Sequence, residues 1–287
     1  MAAAGESDTG CYYESEDGLE LFYRDYSPQA SGTPVLCLPG LTRNSRDFDE
    51  LAPHLSATRR VVTPDLRGRG HSAHDPDWRN YNPRTYVRDV VRLLDQLRIG
   101  RAIVIGTSLG GLIGMLLAAK VPERLAGLVL NDIGPEIAPE GLARISAYTG
   151  RLRPVASWEE AVAQTKEIYG QWWPGLSDED WLKTAHRAYR ENARGVPQLD
   201  MDAAIGRAMR ALGPQSGDPW RLFDALRDTP VLLLRGELSD VLSTDTLCKM
   251  QQRKPDLIAV IVPNRGHVPL LDELESLAAI DRFVADL

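Results

Sequence analysis

Short, almost wholly apolar runs alternate with amphipathic segments along most of this chain, and this alternation restricts the fold more than any other feature. In chain order the runs are PVLCLPG, RRVVTPDLRG, AIVIGTS, LAGLVLNDIG, PVLLLRGE and LIAVIVPN. A strand that is apolar on both faces is typical of a parallel sheet covered by helices on both sides. Alternation of such strands with helices predicts an α/β fold.

Two further strands and one long insertion complete the predicted architecture. The segments CYYES and LELFYRDY flank Asp17-Gly18 and are typical of an antiparallel hairpin. We therefore expect a mostly parallel eight-stranded sheet with helices on both faces. Residues 134–217 show amphipathic segments and no clear strand, so we expect a helical lid inserted after strand 6. The predicted parts are an α/β core of residues 1–133 and 218–287 and a helical cap of residues 134–217.

Two helix starts are visible in the predicted cap. Ser157 with Glu160, and Ser177 with Asp180, have the spacing of a capping box, in which each side chain accepts the other residue's backbone N–H. In open α/β sheets, ligands bind beyond the carboxyl ends of the strands. Because the insertion follows such a strand end, we expect the cap to cover the functional site.

One serine stands between glycines where a buried strand meets a buried helix, in IVIGTSLGGLIGML. Gly106 and Gly110 lie two residues before and two residues after Ser108, where a tight strand-to-helix turn leaves no room for side chains. This context predicts that Ser108 is a catalytic nucleophile. The backbone N–H groups of Leu109, at the helix start, and of Leu41, in LCLPGLTRN, are candidate oxyanion-hole donors.

A serine hydroxyl is a weak nucleophile and needs a base and an orienting acid. Among the five histidines, His267 follows the last apolar run and can therefore reach the carboxyl end of the sheet. Two aspartates follow strand ends, and both satisfy the order serine, acid, histidine. We favour Asp240, because it follows the run just before that of the histidine. Asp132 remains the alternative acid, and Glu237 is a third candidate.

The GTSLG turn, together with the loops LPGLTRNSRDF, DLRGRGHS, RGELSD and PNRGH, resembles the α/β-hydrolase superfamily in its lidded single-domain branch, over nearly the whole chain. The resemblance implies the same nucleophile, acid, base and oxyanion donors. It also implies that Asp65 and Arg67 are structural. Many relatives have His-Gly where this chain has Pro39-Gly40. Because serine stands at the centre of the strand-to-helix turn, mechanisms that need a carboxylate nucleophile there are not expected.

The expected reaction is hydrolysis of carboxylic esters or lactones of small to medium, apolar or aromatic substrates through an acyl-enzyme. Carbon-carbon bond hydrolysis of ring-cleavage products would use the same three residues and remains an alternative. A non-catalytic binding protein with a hydrolase-like shell is a further alternative. Trp172 and Trp173 in the cap, and Arg43 beyond the apolar run, are candidate substrate contacts. No metal or organic cofactor is expected.

Charge and cysteine content narrow the class of partner. A net charge of −7 argues against a nucleic-acid surface, which needs clustered Lys and Arg. No segment reaches the length of apolar residues that a membrane span requires. The three cysteines are far apart and odd in number, so we expect reduced thiols and a cytoplasmic location. The predicted partner is a small-molecule substrate, and the sequence carries no signal for oligomeric state.

Overall fold

The computed structural model describes residues 10–211 and 218–287, and its central feature is an eight-stranded sheet. In spatial order the strands are β1 Cys11–Glu14, β2 Glu20–Tyr26, β4 Val61–Pro64, β3 Val35–Leu38, β5 Ala102–Thr107, β6 Leu125–Asn131, β9 Val231–Gly236 and β10 Ile258–Val262. β1 pairs antiparallel with β2, and β2 pairs antiparallel with β4. The pairs from β4 to β10 are parallel. The predicted mostly parallel eight-stranded α/β sheet is confirmed.

Helices follow most of the strands along the chain. Their bounds are α1 Leu51–Ser56, α2 Pro83–Gln96, α3 Leu109–Lys120, α4 Pro139–Tyr148, α5 Trp158–Tyr169, α6 Asp178–Ala188, α7 Ala204–Ala211, α8 Trp220–Asp224, α9 Thr244–Arg253 and α10 Leu274–Ala285. Within the described ranges, none of the helices combines the length and the apolar character needed to cross a bilayer.

Two apolar cores lie on opposite faces of the sheet, because successive strand side chains point to opposite sides. Val104 of β5 packs in the cluster that includes side chains of α2, α3 and α8. Its neighbours Ile103 and Ile105 pack in the other cluster, with α1 and α10. Full burial of each such side chain contributes about 1.5–3 kcal/mol. The two cores hold the carboxyl ends of the central strands in fixed positions.

The described part of the chain between β6 and β9 carries α4 to α8 and two short antiparallel strands, β7 Tyr189–Glu191 and β8 Pro197–Leu199. The expectation that this region contains no strand is wrong. A three-residue strand is too short for alternation to be visible in a sequence. The one local signal of a turn between these two strands was Gly195, which has a φ of +72°. The boundaries 134–217 stay a prediction, and residues 1–9 and 212–217 lie outside the described residues.

The two predicted helix starts differ in how completely they are capped. Ser177 and Asp180 form a full capping box at the start of α6. Ser157 accepts the N–H of Glu160 at 3.3 Å, but the carboxylate of Glu160 accepts the N–H of Ala156 instead of that of Ser157. At the start of α5, only the serine half of the predicted capping box is therefore present.

A buried carboxylate joins the cap to the core. Asp200 follows β8 and is 6% exposed. Its carboxylate pairs with Arg46 of the core and with Arg190 of β7, the latter at 2.7 Å. Asn44 of the core also donates to it, at 3.3 Å. Because a buried charge is tolerated only when it is paired, these contacts fix this edge of the cap on the sheet.

Candidate active site

Ser108 occupies the turn between β5 and α3 with φ +50° and ψ −109°, a conformation that residues with side chains rarely adopt. Contact distances explain the flanking glycines. A Cβ on Gly106 would lie 2.4 Å from the carbonyl carbon of Gly110, and a Cβ on Gly110 would lie 2.1 Å from the carbonyl oxygen of Leu38. The turn therefore closes only with glycine at both positions, and it presents the Ser108 hydroxyl at the carboxyl end of the sheet.

A continuous line of hydrogen bonds joins three side chains from three strand ends. His267, beyond β10, places Nε2 2.9 Å from the Oγ of Ser108. Its Nδ1 lies 2.8 Å from Oδ2 of Asp132, the residue after β6. His267 is 7% exposed and Asp132 is fully buried. This geometry allows the imidazole to accept the hydroxyl proton while the carboxylate stabilises the imidazolium that forms.

The prediction that Asp240 orients the histidine is wrong, and the structure places the alternative acid, Asp132, there. The Asp240 carboxylate accepts hydrogen bonds from Nε and Nη2 of Arg144 in α4, at 2.6 and 2.8 Å. The reason is strand order: β6 lies between β5 and β9, so the residue directly after β6 stands next to the serine. Glu237, the third candidate, accepts the backbone N–H of Asn264 at 2.9 Å.

The loop after β9 nevertheless contributes to the site, through donors to Asp132. Gly236 N–H donates to Oδ1 at 2.9 Å, and the Ser239 hydroxyl donates to Oδ2 at 2.6 Å. With the His267 contact, both carboxylate oxygens are held in the orientation that faces the imidazole. The sequence analysis did not identify Ser239. The signal that could have indicated it was its position next to Asp240 in the loop RGELSD.

The two predicted oxyanion donors lie near the Ser108 hydroxyl. Leu109 is the first residue of α3, so its N–H has no acceptor within the helix. Leu41 lines the same cavity as Ser108. Both N–H groups are therefore candidates to stabilise a negative oxygen beside the serine, and that role stays a prediction.

A buried arginine supports the loop that carries Leu41. Arg69 is 0% exposed, and its Nε donates to the Leu41 carbonyl at 3.0 Å. Its Nη1 donates to the hydroxyl of Tyr86 at 2.9 Å and to the carbonyl of Arg67 at 2.7 Å. The loop is thus held although Pro39 replaces the histidine of many relatives. Sequence reasoning missed Arg69 because its motif, DLRGRGHS, indicates only a structural loop.

A cavity of about 690 Å³, including its open mouth, leads to Ser108 between the sheet and the cap. We call it the outer cavity; its lining includes Gly40, Leu41, Ser108, Tyr148, Trp173 and His267. Of the predicted substrate contacts, Arg43 and Trp173 line it. Trp172 packs instead against Gly266 and beneath the guanidinium of Arg144, 4.8 Å from the ring centroid.

The cap holds the backbone on both sides of the histidine. The N–H of Gly266 donates to the carbonyl of Trp172 at 2.6 Å. The indole N–H of Trp173 donates to the carbonyl of Val268 at 2.7 Å. Tyr169 stacks on the Trp173 ring with centroids 4.4 Å apart. Trp172 and Trp173 therefore contact the base-bearing loop, a relation between distant segments that carries no local signal in the sequence.

Two polar side chains on the outer-cavity wall have shifted pKa values. Burial raises the pKa of the Tyr148 phenol well above its usual value, and Tyr169 adds to the shift. Burial works to lower the pKa of Arg43, but the Asp47 carboxylate outweighs burial and raises it. The cavity wall therefore carries a neutral phenol and a permanent cation. Across residues 10–211 and 218–287, no group of three or more His, Cys, Asp or Glu side chains is arranged to hold a metal ion.

Comparison with known proteins identifies the family of this fold. The family model described as the α/β-hydrolase fold matches residues 33–274. The chain is 34% identical over 273 residues to a 3-hydroxybutyrate-oligomer hydrolase from Cupriavidus necator, covering 91% of each chain. It is 30% identical over 259 residues to a 2-(acetamidomethylene)succinate hydrolase from Mesorhizobium japonicum, covering 89% of each chain. A crystal structure of an α/β hydrolase from Novosphingobium aromaticivorans superposes with a TM-score of 0.92 at 45% identity, covering 97% of this chain and 98% of that one.

Proposed function

The chain belongs to the α/β-hydrolase family, and we propose that it is a serine hydrolase that cleaves carboxylic esters through an acyl-enzyme on Ser108. The observation that carries the proposal is the hydrogen-bond line from Ser108 through His267 to Asp132. A similar chain, the 3-hydroxybutyrate-oligomer hydrolase, supports esters as the substrate class, because hydroxy acids are linked by ester bonds in their oligomers.

In the acylation step, His267 Nε2 takes the hydroxyl proton as Ser108 Oγ bonds to the ester carbonyl carbon. The carbonyl oxygen becomes an oxyanion, which the N–H groups of Leu41 and Leu109 stabilise. His267 then gives the proton to the alkoxide oxygen, the carbon-oxygen bond breaks, and the alcohol leaves. Asp132 remains ionised and stabilises the imidazolium throughout.

In the deacylation step, a water molecule loses a proton to His267 while its oxygen bonds to the acyl carbon. The same backbone N–H groups, of Leu41 and Leu109, stabilise the second tetrahedral oxyanion. When it collapses, the bond to Ser108 Oγ breaks, His267 returns the proton to the serine, and the carboxylic acid leaves. Every proton in the cycle passes through one imidazole.

The test is a panel of p-nitrophenyl esters together with an alkyl phosphonate probe. We expect ester turnover that is abolished in Ser108→Ala, and mass spectrometry that finds the phosphonate on Ser108. A coloured ring-cleavage dienoate is measured in parallel. Turnover of the dienoate without turnover of any ester would replace ester hydrolysis by carbon-carbon bond hydrolysis. Absence of both activities and of the adduct would favour a non-catalytic binding protein.

A further inference from the structure

A second cavity, of about 380 Å³ including its opening, lies deeper in the cap than the outer cavity. We call it the inner cavity. Four residues, Thr42, Arg43, Tyr148 and Tyr169, line both cavities, whereas Ser108 and His267 line only the outer one. A ligand that reaches from the serine into the inner cavity must therefore pass these four shared side chains, which we call the neck.

The wall of the inner cavity is apolar in practice. Leu152, Ile168, Leu199 and Met201 supply aliphatic surface. Beyond the neck, the polar side chains of the wall have hydrogen-bond partners. These bonds run from Thr149 Oγ1 to the Ile145 carbonyl at 2.7 Å, from Thr165 Oγ1 to the Ala161 carbonyl at 2.8 Å, and from the Tyr189 hydroxyl to Gln164 Oε1 at 2.6 Å. A ligand inside therefore meets methyl groups and ring faces, which suit an alkyl chain.

The neck, in contrast, offers hydrogen-bond donors. Asp47 engages Nε and Nη2 of Arg43 at 2.6–3.0 Å, which leaves Nη1 to donate toward a ligand. The Tyr148 phenol stays protonated because burial raises its pKa, and it already has a hydrogen bond with Tyr169. A buried donor without an acceptor is unfavourable. A ligand in the neck is therefore favoured when it places a carbonyl or carboxylate oxygen there.

We propose that the inner cavity binds the apolar end of the substrate, and that the substrate is an aliphatic ester with a second acceptor oxygen between this end and the scissile carbonyl. This inference rests on the proposed ester hydrolysis. The scissile carbonyl lies at Ser108, the second oxygen at Nη1 of Arg43, and the alkyl end among Leu152, Ile168 and Leu199. Esters of oxo acids and hydroxy acids have this chemistry.

The first test compares chain-length profiles of kcat/KM. Two ester series are used, p-nitrophenyl esters from acetyl to decanoyl and alkyl acetates of increasing length. Leu199→Trp fills the inner cavity, and Leu182→Trp, at a site on α6 that is 42% exposed, is the matched control. Leu152→Trp is the second filling variant if Leu199→Trp does not fold.

In the wild type and the control we expect kcat/KM to rise with chain length in at least one series. In the filled variant, the loss on the longest preferred ester should exceed the loss on the shortest by about tenfold or more, since a single methylene in a pocket already accounts for about 10–200-fold. Flat profiles in both series, or equal profiles in the filled and control proteins, would overturn the inner cavity as a chain site.

The second test addresses the neck with a matched pair of esters, one plain and one carrying an oxo group in its chain. For Arg43→Met, the fall in kcat/KM on the oxo ester should exceed the fall on the plain ester by about tenfold, the size expected for a lost charged hydrogen bond. Arg43→Lys should restore part of this difference. An equal fall on both esters would remove the second oxygen from the proposal.

A binding measurement separates failure of this inference from failure of the proposed function. Sodium octanoate is titrated calorimetrically into Ser108→Ala and into Ser108→Ala with Leu199→Trp. Binding that the filling substitution weakens by about tenfold supports the chain site even if no ester is hydrolysed. Ester hydrolysis together with octanoate binding that ignores the substitution overturns the chain site and leaves the proposed function intact.

Discussion

The ends of β6 and β9 each carry an aspartate, and the two carboxylates have different partners. Asp132 is fully buried and accepts hydrogen bonds from Gly236, Ser239 and His267. Asp240 pairs with Arg144 of the cap. A Cβ on Gly141 of α4 would lie only 2.4 Å from the Asp240 carbonyl oxygen, so the cap helix is in close contact with this loop. The carboxylate after β6 thus contacts the histidine, and the carboxylate of Asp240 in the loop after β9 contacts the cap.

The largest expected effect tests this division directly. Asp132→Asn should lower kcat for ester hydrolysis by about 10⁴-fold, because the amide no longer selects the imidazole tautomer that accepts the serine proton. Asp240→Asn should lower it only a few-fold, as expected for a partly buried ion pair away from the histidine. Steady-state kinetics of both folded variants check this. A larger loss in Asp240→Asn would reverse the assignment.

The next prediction compares two contacts of the histidine loop. It tests how much the hydrogen bond from the cap contributes to kcat beside the contact of Asp132 with His267. Trp173→Phe keeps an aromatic ring but removes the N–H that bonds the Val268 carbonyl. We expect kcat to fall by about tenfold, the upper end for one lost hydrogen bond, with a smaller change in KM. Trp181→Phe, in a buried cap position 6.1 Å from the Trp173 ring, is the control. Equal losses in both variants would indicate general loosening of the cap.

A third effect concerns the Asp240 side of the comparison. A double-mutant cycle of Asp240→Asn and Arg144→Met should give a coupling free energy of unfolding of about 1 kcal/mol, because the two side chains are in contact. The cycle of Asp132→Asn and Arg144→Met should be additive. Urea unfolding of the four proteins in each cycle measures both values. Coupling of Arg144 to Asp132 instead would contradict the separation of the two strand ends.

The smallest effect concerns the segment that leaves β6 toward the cap. The Trp220 indole N–H, followed by Lys249, lowers the pKa of Glu136. A carboxyl group with a lowered folded-state pKa adds stability above its unfolded-state pKa and loses it as pH falls through the folded-state value. Glu136→Gln should therefore reduce the free energy of unfolding near neutral pH and converge with the wild type in acid. Glu140→Gln, on the exposed face of α4, is the control, and a pH-independent difference would contradict the charge-based cause.

The sheet and the serine turn were predictable because their causes are local. Burial on both faces leaves a strand apolar along its whole length, and the steric limits at Gly106 and Gly110 lie within two residues of Ser108. The same holds for the Ser177 cap at the start of α6, where both partners stand three residues apart. Local rules therefore gave the fold class and the position of the serine.

Which aspartate contacts the histidine was not predictable, because this depends on strand order and on the path of one loop. Asp132 and Asp240 both follow apolar runs, and only the position of β6 between β5 and β9 brings the first beside the histidine. Arg69 and Trp173 act through partners 28 and 95 residues away in the chain. Hydrophobic periodicity in the sequence carries no information on contacts between residues so far apart in the chain. The short strands β7 and β8 were missed because three residues do not make a pattern.

The contacts of Trp172 and Trp173 with Gly266 and Val268 have a consequence for how this molecule can change over time. Trp173 lines the outer cavity, and the same pair of tryptophans holds the backbone on both sides of His267. A rigid outward swing of this part of the cap would release the loop on both sides of the imidazole at once. Substitutions of these two tryptophans that change ligand selectivity would therefore also alter turnover. New specificity should arise more readily through substitutions in the inner cavity than beside these tryptophans.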